Sequence, residues 1–272
     1  MKYISELLLP SQTFSQNPYR CKLDFGQWGT AQALARKDII VIVDTLSFST
    51  AVTTAVAHGG LIYPCSIAED SVILAQRLGA EVAVRRNEVP QKGRFSLSPL
   101  TYVGMTAGTR IVIPSPNGGT CSGLAQTAPC LLIGSLVNAK AIASAISQML
   151  KTTNLCVTIV CCGERELTLS EYGETRMAIE DYLGAGAILS YLEYEKSPEA
   201  CVCEGAFLHT HKQLEAMLLD CGTGRKLREL GFVTDVQYAS QLNLYSSVPI
   251  MGVEGFVYDH LNLCKSFHSE FE

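Results

Sequence analysis

Apolar residues in this chain fall into short β-branched runs separated by segments with helical spacing. Residues 39–43, Ile-Ile-Val-Ile-Val, are too few for a helix and enough for a buried strand. Further strands are predicted at 61–63, 81–84, 110–113, 131–133, 155–161 and 248–251. Helices are predicted at 50–58, closed by Gly59-Gly60, and from Ser66 to about Arg77, opened by the capping box Ser66-x-x-Glu69. Others follow at 120–127, 138–151, 178–194 and 223–230, with one or two across 197–219 and a last one capped by Thr234-x-x-Gln237. Strands alternating with helices predict an α/β fold with mostly parallel sheets flanked by helices. Residues 85–108 lack any period, and a long irregular segment in a compact domain is more often a functional loop than a linker.

Composition narrows the partners. Apolar residues make up 47% of the 272 and charged ones 17%, which supplies a core and excludes disorder. The net charge is −5 with no basic run, so no nucleic acid is expected as a partner. No apolar run nears the roughly 20 residues a membrane span needs, and the N-terminus lacks the pattern of a signal peptide. The 11 cysteines are odd in number and form no Cys-x-x-Cys pair. A reduced, cytoplasmic protein is expected. Cys201-x-Cys203 and His209-x-His211 sit two apart, off a common helical face, and are read as structural.

In open α/β sheets, ligands bind beyond the carboxyl ends of the strands. Three segments follow a predicted strand directly: 44–50, 115–120 and 162–164. Asp44 can ligate a hard cation or attack phosphorus; the alternative is a carboxylate capping its own turn. The hydroxyls of Thr45, Ser47, Ser49 and Thr50 follow it near a helix N-terminus. Asn117-Gly118-Gly119 suits an anion nest, or equally a tight turn. Glu180 and Asp181 are the only charges from Met177 to Leu192. On a packed helix they need a cation, unless they merely complement the first-turn dipole; neighbouring positions diverge by about 100°, so one of the two faces a shared site. Arg225, Lys226 and Arg228 form a small basic cluster that could hold a phosphate or face solvent. The five histidines and the absence of Gly-x-Ser-x-Gly give no serine-hydrolase arrangement.

Taken in order, these segments resemble the 2-phosphosulfolactate phosphatase family. The resemblance rests on Val43-Asp44-Thr45-Leu46-Ser47-Phe48-Ser49-Thr50, residues 95–102, Asn117-Gly118-Gly119, residues 134–139, residues 178–187, and residues 224–235. It covers about residues 39 to 251. It implies two different α/β domains, drawn here as 1–130 and 131–272. It also implies a magnesium-dependent phosphatase that converts (2R)-2-phospho-3-sulfolactate to sulfolactate and phosphate on a route towards coenzyme M. Asp44, Asn117, Gly118, Glu180, Asp181 and Asp235 carry over as site residues.

Three departures stand out. The family pattern Asp-Val-Leu-Arg-Ala-Ser-Thr has its arginine where this chain has Ser47; its Thr-Arg after Asn-Gly is Gly119-Thr120 here; its Asn-Ser-Pro is reduced to Ser98-Pro99. Two guanidinium groups suited to a doubly anionic substrate are therefore missing, with Arg85, Arg86 and Arg94 the loop arginines able to replace them. The leading expectation is a phosphate monoester hydrolase with Asp44, Glu180 and Asp181 as catalytic acids, Mg2+ being held by Asp44 and one of the other two. The substrate, a small phosphorylated anion, is expected on Ser47, Ser49, Asn117, Gly118, Gly119 and Arg225. Position 46 is Leu, so the second aspartate of haloacid-dehalogenase-type phosphatases is absent. The other expectation is a catalytically silent relative binding an anionic metabolite or protein. A homodimer is compatible with either.

Overall fold

A computed structural model describes residues 14–165, 175–252 and 255–258. His260, His268 and the extreme N-terminus lie outside the described residues. The strands are β1 (Cys21–Phe25), β2 (Ile39–Val43), β3 (Leu61–Cys65), β4 (Glu81–Val82), β5 (Arg110–Pro114), β6 (Leu131–Gly134), β7 (Val157–Cys161), β8 (Glu164–Arg165), β9 (Thr175–Arg176), β10 (Pro249–Gly252) and β11 (Gly255–Tyr258). The helices are α1 (Gly26–Ala35), α2 (Phe48–Ala57), α3 (Ser71–Leu78), α4 (Gly118–Leu124), α5 (Ala139–Thr152), α6 (Ile179–Leu189), α7 (Pro198–Thr210), α8 (Leu214–Asp220), α9 (Gly222–Glu229) and α10 (Val233–Ala239).

Nine strands form one sheet in the order β1-β7-β2-β6-β10-β11-β3-β5-β4, and β8 pairs with β9 apart from it. Two all-parallel groups, β1-β7-β2-β6 and β3-β5-β4, are joined by the antiparallel hairpin β10–β11. Strands from both sides of the 130/131 boundary thus share the sheet. The α/β class with mostly parallel strands is as expected.

The central strand β2 shows why. All five of its side chains are fully buried, and they alternate between two cores. Ile39, Val41 and Val43 pack with α5, α6 and α7 on one face, while Ile40 and Ile42 pack with α2 and α4 on the other. That is the two-residue period of a strand covered on both faces.

Several elements differ from expectation. Strand β1 and helix α1 were not anticipated: Lys22 breaks the apolar run and is buried with Asp38 at 3.4 Å and the Asn17 side-chain oxygen at 3.2 Å as its partners. Asp70, not Ser66, caps α3, accepting the amides of Val72 and Ile73 at 3.0 Å. The 81–84 strand shortens to two residues plus a bridge from Val84 to Ser96. Segment 197–219 is two helices with a short 3-10 turn between them, and α10 starts at Val233 with no side-chain cap. Within 85–108 lie 3-10 turns at Arg86–Glu88 and Pro99–Tyr102.

Candidate active site

The two central strands β2 and β7 end side by side, the Cys162 amide donating to the Val43 carbonyl at 2.9 Å. Asp44 follows β2 directly and is buried. Its Oδ1 accepts the Ser47 amide at 3.1 Å and the Phe48 amide at 3.4 Å, capping α2; its Oδ2 accepts the Gly118 amide at 2.9 Å. A Cβ at Gly118 would collide with the Phe48 ring and lie 2.9 Å from that same Oδ2, so glycine is what lets the two motif loops meet.

Asp181, in the first turn of α6, reaches across to this turn. Its Oδ1 accepts the Thr45 amide at 2.7 Å and its Oδ2 the Gly163 amide at 2.9 Å. One carboxylate therefore ties the β2 end, the β7 end and α6 together. Glu180 is equally buried but turns elsewhere, towards the Cys221 thiol, whose pKa is pushed up by burial and by that acid. The divergence of adjacent helical positions selects Asp181 as the neighbour of Asp44.

Burial pushes the Asp44 carboxyl up to about 6; the three amides oppose the rise and Glu164 adds to it. Burial likewise holds Asp181 well above the usual carboxylate range, with the charges of Asp44 and Glu180 adding to the rise. Desolvation outweighs several favourable hydrogen bonds at both acids. Two buried like charges beside each other favour anything that brings in positive charge.

Around the pair lies a set of polar links. Asn117 donates to Glu164 Oε2 at 3.1 Å and accepts the Arg165 amide at 3.3 Å, and Lys226 pairs with Glu164 at 3.1 Å. On the other side, Arg86 pairs with buried Asp235 at 2.8 Å, donates to the Leu97 carbonyl at 3.0 Å and bonds the Ser47 hydroxyl. Ser98 completes Asp235 with a 2.6 Å bond. The irregular segment thus delivers Arg86 and Ser98 to the turn that holds Asp44. Lys226 and Glu164 had weak sequence signals, and Arg86 stood out only as one of three loop arginines.

Other expected residues are not brought to the acids. Ser49 spends its hydroxyl on backbone, accepting the Asp44 amide at 2.9 Å and donating to the Ile42 carbonyl at 3.1 Å. Arg225 and Lys226 are both exposed, Arg225 pairing with Asp220 and Lys226 reaching Glu164. Gly119 packs on the Cys65 carbonyl. Cys203 is buried against the Tyr182 carbonyl and Cys201 is exposed, as divergent positions require.

As donors, Asp44 and Asp181 offer hard carboxylate oxygens, each already accepting amides but retaining further lone pairs. Among the described residues no three of His, Cys, Asp and Glu stand close enough to share a metal ion. A pair of carboxylates still suits magnesium, which binds through one or two protein carboxylates and keeps several waters for substrate phosphate to replace. The buried Thr45 hydroxyl beside the pair has no hydrogen-bond partner.

An α/β protein with one buried acid at the carboxyl end of a parallel strand and a second on the helix beside it, both held by backbone amides, belongs to the class that handles small anions there. The comparisons make that class specific. The chain belongs to the 2-phosphosulpholactate phosphatase family, whose model matches residues 29–253. It is 32% identical to a "Probable 2-phosphosulfolactate phosphatase" of Carboxydothermus hydrogenoformans, over 79% of this chain and 87% of the relative. It is 24% identical to the "2-phosphosulfolactate phosphatase" of Methanocaldococcus jannaschii, over 78% of this chain and 88% of the relative. Among the described residues no helix is long and apolar enough to cross a membrane.

Proposed function

We propose that the chain is a magnesium-dependent phosphatase that hydrolyses a small phosphorylated organic acid, with 2-phosphosulfolactate, the compound named for its relatives, as the substrate to test first. Water adds across the P–O bond, leaving inorganic phosphate and the hydroxy acid sulfolactate. The carrying observation is that Asp181 accepts the amides of Thr45 and Gly163, which brings a second buried acid to the turn that begins with Asp44.

Asp44 and Asp181 would hold the ion, which supplies Lewis-acid polarisation of the phosphoryl oxygens. The backbone amides of Ser47, Phe48 and Gly118 orient Asp44 and fix the distance between the two motif loops. Asn117 and Lys226 each bond one oxygen of Glu164, the acid whose charge adds to the rise at Asp44. Burial of the pair excludes bulk water and strengthens every charge interaction in the site.

The test is phosphate release from 2-phosphosulfolactate with magnesium and with a chelator. Magnesium-dependent turnover is expected. Absence of turnover on that compound and on a panel of small phosphate esters would refute the reading in favour of a silent anion-binding relative.

A further inference from the structure

Between the turn at Arg86–Glu88, whose Glu88 also lines it, and the end of α9 with the Leu230–Phe232 turn opens a cavity of about 550 Å³, linked to the Asp44 turn through Arg86. Small-molecule sites commonly span roughly 300–1,000 Å³. Its walls include Leu97, Leu227 and Phe232, and its cationic wall is Arg86 with Arg85 beside it. Arg86 is held from three sides. Its Nε bonds Asp235, its Nη2 bonds Ser47 and the Leu97 carbonyl, and its guanidinium lies 5.7 Å from the Phe232 ring centre. The Nη1 group carries no hydrogen bond to the described residues and is not closed off in the interior. A guanidinium locked at two nitrogens, with its third beside a cavity, is preorganised to take an oxyanion.

The location fixes which oxyanion. Ser47, which Arg86 grips, donates its amide to Asp44, so the cation lies one residue's reach from the proposed reacting centre. An ester whose phosphoryl group lies at the acid pair has this guanidinium as a neighbouring cation, through the Ser47 turn that both touch. We infer that Arg86 is a specificity-determining residue that binds the second acid group of the substrate, a carboxylate or sulfonate, in this cavity. The inference rests on the phosphatase reading. It also accounts for Ser47: the hydroxyl there is the anchor for a guanidinium that comes from another part of the chain.

Steady-state kinetics of Arg86→Gln on two esters tests it: 2-phosphosulfolactate, which carries further acid groups, and phenyl phosphate, which carries none. Both esters lose turnover to the extent that the Ser47 turn shifts, but KM for the first is expected to rise at least tenfold more than KM for the second. Equal losses on both would overturn the inference, since a merely structural role weakens both alike. Arg86→Lys retains the charge pair with Asp235 and loses the fork; it should give an intermediate KM on 2-phosphosulfolactate, and serves if the glutamine variant does not fold. Should the wild type turn over neither ester, the phosphatase reading fails by itself. Calorimetric titration with 3-sulfolactate then decides the subsite: binding lost in the variant supports it, and absent or unchanged binding overturns it.

Discussion

Replacing Asp44 by asparagine should abolish phosphate release and yet shift the stability of the metal-free protein in the variant's favour as pH rises to neutral. The carboxyl is pushed from 3.8 to about 6 in the fold. At about 1.36 kcal/mol per pH unit, the ionised form is disfavoured by about 3 kcal/mol relative to the unfolded chain. The folded value is the raised one, so the stabilising protonated form is complete below about pH 4 and is lost as pH climbs through about 6. Asparagine remains neutral throughout but offers one acceptor oxygen where Asp44 accepts amides on two, a cost that is the same at every pH. The stability difference between the two proteins should therefore move by about 3 kcal/mol in the variant's favour between pH 4 and pH 7. Urea unfolding in chelator at pH 4, 5.5 and 7 measures the difference, from which groups remote from Asp44 cancel, while Asp181, relieved of the Asp44 charge, adds to the shift in the variant's favour. Saturating magnesium should then stabilise only the wild type, by about 2.7 kcal/mol at a hundredfold excess over Kd. A difference that stays flat from pH 4 to 7, or magnesium stabilising both alike, would refute the account of Asp44 as a buried acid awaiting a cation.

Other substitutions test the rest of the geometry. Asp181→Asn should remove the magnesium-induced rise in Tm and Glu180→Gln should leave it in place, because only Asp181 is tied to the Asp44 turn; the reverse pattern in thermal melts would reassign the pair. Asp181→Ala leaves the Thr45 and Gly163 amides without acceptors and should cost about 2–6 kcal/mol in urea unfolding, at about 1–3 per buried group. Arg225→Ala breaks only an exposed pair with Asp220 and should change unfolding free energy by less than about 0.5 kcal/mol, with phosphate release unaltered.

Much of this arrangement is legible in the sequence because it is local. The run 39–43 can only be a buried strand, and a buried strand followed at once by an aspartate marks a sheet-end site. The same holds for Asn117-Gly118 after β5. What the sequence conceals is pairing at a distance. Arg86 and Asp235 are separated by 149 positions, and nothing local distinguishes Arg86 from Arg85 or Arg94. Arg94 in fact pairs with Glu81 on the surface. Strand β1 was hidden for a related reason: Lys22 disqualifies it as a buried strand until Asp38, 16 residues on, supplies the counter-charge. Helix α1, Gly-Gln-Trp-Gly-Thr-Ala-Gln-Ala-Leu-Ala, carries two glycines and no apolar stripe, so it depends on tertiary packing.

The two meanings of Asp44, turn cap and functional acid, are not alternatives in this fold. A carboxylate that only capped α2 would sit at the helix N-terminus in partial contact with water, where its ionisation is favourable. Asp44 instead also takes the Gly118 amide from a separate loop and shares its interior with Asp181. Each amide contributes to holding the geometry, but together they draw the acid so far inside that its charge becomes unfavourable. A structural cap gains nothing from that depth, since Asn or Ser would cap without the penalty. An acid retained there, against its own desolvation, makes sense when an ion or proton arrives to offset the charge. The strain that the amide network imposes on the apo protein is thus the same energy that would draw a cation to the site.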